Sequence, residues 1–210
     1  MTRYGLWILL VAAVAMMVCG CQSQKTYLYN GKDLTGLIPY PADAGHWMAK
    51  GQILYTTGKP NGYIRTEKVY QDYRLHVEWR WPDEPTNSGV FLHINGEDTT
   101  FPRCIEAQLK HESAGDFVIM NHSGATVKGL RYEDANKQFI GVKKFQNSTE
   151  HPAGQWNTYE ILCKGDTIKL IVNGVPQNEA QKTTESAGWI GLQSEGGPIE
   201  FRNVYVQPLK

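Results

Sequence analysis

Arg74-Leu75-His76-Val77-Glu78-Trp79-Arg80-Trp81 alternates polar and apolar side chains without a break. A period of two puts Leu75, Val77, Trp79 and Trp81 on one face and Arg74, His76, Glu78 and Arg80 on the other, the pattern of a half-buried antiparallel strand. Ser88–Ile94 repeats it, with Val90, Leu92 and Ile94 apolar and His93 opposite. Cys104–Lys110 sets Ile105, Ala107 and Leu109 against Glu106, Gln108 and Lys110. Further strands are predicted over 156–164, 167–173, 188–194 and 199–207. Asn-Gly at 30–31, 61–62, 95–96 and 173–174 accepts the positive φ angles of tight hairpin turns. Lys164-Gly165-Asp166 separates two strand-like runs and reads as another hairpin. Many short strands between such turns, with a weak helix signal, predict an all-β fold: a sandwich of two antiparallel sheets in a single domain. Residues 128–153 have no clear period and read as a loop over one face.

The 210 residues carry 21 Lys+Arg against 21 Asp+Glu. Zero net charge argues against nucleic acid as a partner, which usually demands a basic excess. Met1-Thr2-Arg3-Tyr4 is short and positive, and Leu6–Val18 is almost wholly apolar, ending in Val18-Cys19-Gly20-Cys21. Residues 1–20 therefore read as a lipoprotein signal peptide, too short for a spanning helix. Cys21 is the expected lipidated residue; Cys19 fits less well because bulky Val18 would precede the cut. Residues 21–26 become anchor and tether, and 27–210 the domain. The expected location is the cell envelope, as an exported lipoprotein held by its lipid in the outer membrane. It is expected to face the periplasm, since no acidic cluster follows Cys21. Cys104 and Cys163 remain, either bridged or simply buried. No Cys/His cluster has zinc spacing.

If strands 74–81, 88–94 and 104–110 are neighbours, their polar faces join. One patch would then hold Arg74, His76, Glu78, Arg80, His93, Glu106, Gln108 and Lys110. Carboxylates, imidazoles and cations that close would tune one another's protonation. The plainer reading is a solvated outer face, which also alternates. Glu106-Ala107-Gln108 places an acid and an amide side by side on one face. Arg103 precedes them and Lys110-His111 follows; His111 points to the opposite face unless the strand bends. Gly196-Gly197, after Gln193-Ser194-Glu195, is either a place where backbone approaches a ligand or a tight connection into the last strand. Phosphate-binding Gly loops, HExxH, GxSxG and EF-hand loops are all missing from the sequence.

Several segments together resemble a known family. They are Tyr29-Asn30-Gly31-Lys32-Asp33-Leu34-Thr35-Gly36, Gly62-Tyr63-Ile64-Arg65-Thr66, Tyr73–Arg80, Asn87-Ser88-Gly89-Val90-Phe91-Leu92-His93, Glu106-Ala107-Gln108, Trp156-Asn157-Thr158-Tyr159, Val172-Asn173-Gly174, Gly191–Gly196 and Ile199–Val204. In their order they resemble the bacterial 3-keto-disaccharide hydrolase domain family, common as lipoproteins in Bacteroidota. The chain departs from many members at His93, where Arg is usual, and at Lys110-His111, where Asp lies nearby, which bears on substrate or metal preference. The resemblance implies a concanavalin-A-like jelly-roll sandwich with a sugar site on its concave sheet. It also implies an oligosaccharide or glycoside substrate already oxidised to a ketone at C3.

Such a ketone acidifies the hydrogen on C2. A base removes it, the enolate expels the aglycone from C1, and water then adds to the unsaturated product. The site needs a base, a stabiliser for the enolate oxygen and an acid for the leaving group. Glu106 or His111 is the candidate base. His93 or a bound divalent cation would hold the C3 oxygen, and Glu78 or Lys110 would protonate the leaving oxygen. Arg80, Gln108, Glu195 and Arg65 are candidate substrate-binding residues. Glu106, Gln108 and His93 are the candidate cation ligands, though no spacing establishes a metal. Two rivals stand beside this reading: a conventional glycosidase using the Glu78/Glu106 pair, and a carbohydrate-binding lipoprotein that binds sugar on Trp47, Trp156 or Trp189 without turnover. The oligomeric state is left open.

Overall fold

The computed structural model describes residues 24–42 and 45–209. The expected signal peptide, Cys21 and the start of the tether lie outside the described residues. The strands, in chain order, begin with β1 (Thr26–Tyr27), β2 (Leu37–Tyr40), β3 (Trp47–Lys50), β4 (Ile53–Thr56), β5 (Gly62–Thr66) and β6 (Tyr70–Gln71). Then come β7 (Tyr73–Arg80), β8 (Gly89–Asn95), β9 (Arg103–Gln108), β10 (Phe117–Met120), β11 (Ala125–Val127) and β12 (Leu130–Tyr132). The last are β13 (Phe139–Val142), β14 (Asn157–Lys164), β15 (Thr167–Val172), β16 (Val175–Ala180), β17 (Ala187–Ser194) and β18 (Ile199–Pro208). No helix occurs among the described residues.

Two large antiparallel sheets form, in the orders β16-β15-β14-β7-β18-β4-β3 and β13-β10-β9-β8-β17-β5-β2. The predicted all-β sandwich is what the chain builds. In β7 the buried positions are Tyr73, Leu75, Val77 and Trp79, as the alternation predicts. With Tyr159, Ile161 and Cys163 of β14 they share one core with Val90, Leu92, Ile105 and Ala107 of the second sheet. Each such large apolar side chain stabilises the fold by roughly 1.5–3 kcal/mol, so the interlayer core dominates stability. Hairpins form at 164–166, 173–174 and, with a longer loop, after Asn95-Gly96, but not at 30–31 or 61–62, where the flanking strands pair elsewhere. Lys164 pairs with Thr167 across Gly165. Asn173 and Gly174 have φ of 48° and 79° between β15 and β16, the double positive φ that the tightest hairpin turn needs.

Strand placement departs from expectation where it matters most. β8 and β9 pair with each other, but β7 pairs with β14 and β18 in the other sheet. Residues 81–88 cross from one layer to the other instead of turning back as a hairpin. The two polar faces therefore look outward from opposite sides of the sandwich, whose layers stand about 10 Å apart. The single patch expected from β7, β8 and β9 does not exist.

The two outer faces also differ. Outward side chains of β7 are exposed or half-buried, whereas β8 is buried from Gly89 to Ile94 and β9 from Cys104 to Ala107. The loop between β8 and β9 folds over the second sheet. Its Asp98 accepts hydrogen bonds from Tyr63 Oη (2.6 Å) and from Arg65 Nε (2.8 Å) and an Arg65 terminal nitrogen (2.7 Å) of β5. Residues 128–153, expected as a loop, also supply β12 and β13; β13 pairs with β10 and widens the second sheet.

Candidate active site

Glu106 sits on the outward side of β9, opposite Phe91 of β8. Gly89 and Phe91 of β8 share this side, and Gly89 is what makes room for the carboxyl. A Cβ at residue 89 would stand 2.0 Å from Glu106 Oε1. Glu106 is 3% exposed, and its Oε1 has no hydrogen-bond partner among the described residues. It lines a hollow of about 200 Å³ with Asn87, Gln108, Gln193 and Glu195, walled by Phe101, Val118, Met120 and Phe139. Asn87 Oδ1 and Gln193 Oε1 are likewise buried without a partner, while the Gln193 amide donates to Glu195 (2.8 Å). A second hollow of about 220 Å³ adjoins it, sharing Gln108 and Val118 and adding Lys110, Ser113, Asp116 and Lys143. Together they reach the few hundred Å³ of a small-molecule site.

The electrostatics divide the two carboxyls. Burial, with the charge of Glu195 added, pushes Glu106 well above the ordinary carboxylate range. An isolated buried carboxylate costs several kcal/mol or more, so the group keeps its proton instead. Glu195 is also raised by burial, but the Gln193 amide and the Lys110 charge oppose the rise. The hollow thus pairs a carboxyl whose burial favours the protonated form with a second carboxyl on which an amide and a lysine charge oppose that effect, an arrangement that can separate an acid from a base. Gln108 fixes its own strand end: its Oε1 accepts from the amides of Leu109 (2.9 Å) and Lys110 (2.7 Å).

Of the residues expected to act, the structure gathers Glu106, Gln108 and Glu195 in one hollow and Lys110 in the next. The others stand elsewhere. Glu78 lies on the outer face of the first sheet, where it accepts from Arg202 Nε (2.6 Å) and Asn203 Nδ2 (2.7 Å). Partial burial opposes them, yet these bonds and the Arg202 charge hold its carboxyl below the usual range. Arg80 is on that same face, paired with Glu200 (2.6 Å). The Glu78/Glu106 pair of a conventional glycosidase is therefore not assembled.

His93 faces the interior. An irregularity in the β8–β9 register between Leu92 and Asn95, with His93 at φ 54°, breaks the alternation. Ile94 joins Phe91 in the outer cluster, while the His93 ring lies edge-on to Tyr73 of the other sheet at 5.6 Å. Its Nδ1 meets Glu185 O (3.1 Å), and burial lowers its pKa. The Glu106–Gln108–His93 ligand set is thus broken, and no three His, Cys, Asp or Glu residues converge as a metal site among the described residues. His111 is exposed, its Nδ1 3.6 Å from Glu150, and lines neither hollow. Arg65 does share the outer face of the second sheet, but it is clasped by Asp98 and stacked over Trp189 (4.1 Å).

The expected aromatic platforms are not free. Trp47 is in the core, Arg65 covers Trp189, and Arg80 and Arg202 lie over Trp156. Cys104 and Cys163 are both free and buried, one in the outer cluster and one in the interlayer core. Gly196-Gly197 is a tight connection: a Cβ at Gly58 would meet Gly197 O at 2.2 Å. Asn87 and Gln193 were not singled out from the sequence as site residues. Gln193 was detectable in principle, two residues before Glu195 on one strand. Phe101 and Phe139 gave no signal.

Comparison with curated protein sequences gives no match. Among solved structures, a candidate glycosyl hydrolase from Parabacteroides distasonis aligns at TM-score 0.65 and 23% identity, over 89% of this chain and all of that one. A carbohydrate-binding module from Bacillus subtilis aligns at TM-score 0.61 and 13% identity, over 87% of this chain and 99% of the other. A β-glucanase from Bacillus licheniformis aligns at 0.58 and 14%, over 90% and 99%. These likenesses establish the jelly-roll fold. The family model of the 3-keto-alpha-glucoside-1,2-lyase-like domain matches residues 24–207. The chain belongs to that family, as a carbohydrate-active, hydrolase-like domain.

Proposed function

We propose that this protein cleaves glycosides already oxidised to a ketone at C3, by elimination followed by hydration. The observation that carries this reading is the buried Glu106 carboxyl, without a partner at Oε1 and with its pKa raised by burial, sharing a hollow with Glu195. Glu195 takes the proton from C2 as the negative charge develops toward the ketone oxygen. Glu106 donates its proton in a hydrogen bond to that oxygen, as a neutral acid kept in an apolar setting can. The C1–O bond breaks, C1=C2 forms, and Glu195 returns the abstracted proton to the leaving oxygen. Water then adds its oxygen to C1 and a proton to C2. The Lys110 charge opposes the rise that burial gives the Glu195 pKa, and Gln108, Gln193 and Asn87 meet the sugar hydroxyls. These roles replace Glu106 or His111 as base and Glu78 or Lys110 as acid. Family membership supports the substrate class.

The test uses a 3-keto-glucoside deuterated at C2 and its unoxidised parent, in ordinary water. The reading expects turnover of the keto-sugar alone, with loss of deuterium from C2. Turnover with the label fully retained contradicts elimination. Cleavage of the parent glycoside points to a conventional glycosidase, and binding without any cleavage to a carbohydrate-binding module. We also propose that Cys21 is lipidated after loss of residues 1–20 and holds the protein to the cell envelope, in the outer membrane and facing the periplasm. Palmitate labelling that persists in Cys21→Ser contradicts the assignment of that residue.

A further inference from the structure

The described chain begins at Gln24 and is fixed to the domain at once. Thr26 and Tyr27 of β1 pair with Val206 and Tyr205 of β18, and the Leu28 amide donates to Val204 O (2.9 Å). With a lipid on Cys21, five residue steps separate it from Thr26, a reach of at most about 18 Å for extended chain. The surface around β1 is thus held within a few residues' length of a bilayer.

That surface is apolar where it stands proudest. Tyr27 is 55% exposed and Val69 57%. Single exposed apolar side chains are common on soluble proteins and mark nothing, but these two border one groove. Tyr27 and Leu28 line a hollow of about 140 Å³ together with Lys68 and Tyr70, the two neighbours of Val69. The turn that lifts Val69 is fixed at its base. Thr66 Oγ1 donates to Lys68 O (2.7 Å), and the Glu67 amide donates to Gly36 O (3.1 Å). Lys25 lies over the Tyr205 ring (4.1 Å), which meets the Tyr27 ring at 5.5 Å. Tyrosine beside an aliphatic side chain, with lysines at the rim, is the composition of a membrane–water boundary: the ring sits at headgroup level and the ammonium reaches phosphate. Glu67 also lines the hollow and offsets one lysine. The patch therefore suits a zwitterionic headgroup, with phosphate beside ammonium, better than a purely anionic surface.

We propose that the face formed by Tyr27 and the turn at Lys68–Tyr70 docks against the phospholipid bilayer that carries the lipid anchor. This rests on the lipidation of Cys21 proposed above. The anchor supplies the attachment. The patch adds a weak contact that the tether makes effectively intramolecular, and so fixes which way the domain points. β17 gives the consequence for the site. Its first residues pair with β6 beside this face, and its last, Ser194, pairs with Gly62 at the far end. At about 3.3 Å per residue, Glu195 stands roughly 25 Å along the strand from Ala187. Docking thus carries the Glu106–Glu195 hollow away from the lipid, toward the aqueous side.

The test uses the full chain as cells process it, purified from membranes and reconstituted in vesicles of phosphatidylethanolamine and phosphatidylglycerol. A nitrobenzoxadiazole dye is placed on Val69→Cys and, in a second preparation, on Lys59→Cys. Lys59 marks the far end, where Pro60 O accepts from Ser194 Oγ (3.2 Å). Cys104 and Cys163 are buried and do not compete for the dye. Mass spectrometry of the same preparations reports whether Cys21 carries acyl chains. With acylated protein, doxyl-labelled lipid should quench the dye at position 69 at least about threefold more than at position 59. Tyr27→Asp, its fold verified by melting, should cut the quenching at position 69 about twofold. Equal quenching at the two positions overturns the docked orientation and leaves the anchor standing. A blue-shifted dye at position 69 that doxyl lipid does not quench also overturns it, and means that another protein chain covers the patch. Cys21 without acyl mass removes the anchor and the docking together.

Discussion

Burying Glu106 works against folding at neutral pH. Its folded pKa is raised by burial and by Glu195, while in the unfolded chain it ionises near the ordinary value of about 4.3. The unfolded state therefore releases its proton first. Stability falls as pH climbs above that value, until the folded pKa is reached. Glu106→Gln removes this dependence. It should melt no lower than wild type at pH 8, with any advantage fading toward pH 4, while kcat drops at least about 100-fold. A variant that melts clearly lower at pH 8 contradicts a protonated Glu106. The same two carboxyls shape the rate profile. Activity should rise with pH as Glu195 ionises, above the ordinary Glu range because burial raises it. It should fall again as Glu106 loses its proton. Lys110→Ala withdraws a charge that lowers the Glu195 pKa, so the acid limb of kcat/KM should move to higher pH. A limb that stays in place removes Lys110 from the account.

Among elements, β8 governs the site through what it omits. Gly89 has no positive φ that would forbid a side chain, yet a Cβ there meets Glu106 Oε1, Cδ and Cγ. Gly89→Ala should therefore keep the fold, at about 1–3 kcal/mol, and reduce kcat/KM by tenfold or more as the carboxyl is displaced. Full activity would mean that the placement of Glu106 does not matter. Seven strands were legible: 74–81, 88–94, 104–110 and the four later runs all appear within a residue or two, because alternation displays their two faces, whereas β2 to β5, β10, β13 and β16 were not read. The partners of those seven were not legible. Period two says which residues of one strand share a face and nothing about the sheet it joins, so Glu78 and Glu106 were grouped although β7 and β9 lie in different layers. The irregularity at His93 was invisible too, since neither Gly nor Pro marks it. Glu106, Gln108 and Glu195 were readable as polar side chains on strands; that Gln193 and Asn87 join them depends on β17 lying beside β8.

At the scale of the whole molecule, the sandwich has one outer face made of ion pairs and one made of hollows. Arg74, His76, Glu160, Glu78 and Arg202 form a partly buried ladder across the first sheet, and pairs at a protein surface are worth about 0–1 kcal/mol. Glu78→Gln should shift stability by about 1 kcal/mol or less and leave kcat/KM within twofold; a large kinetic loss would return the chemistry to the first sheet. On the proposed function, the sugar occupies the hollow over β8, β9 and β17. That placement is tested most directly by titrating isotope-labelled Glu195→Gln protein with a 3-keto-glucoside and following amide resonances by NMR. Shifts are expected at the side-chain amides of Gln108, Gln193 and Asn87 and at the backbone of Gly89, with Asn203 unmoved. Shifts centred on Asn203 and the first sheet, or saturation with those three amides unmoved, would contradict it.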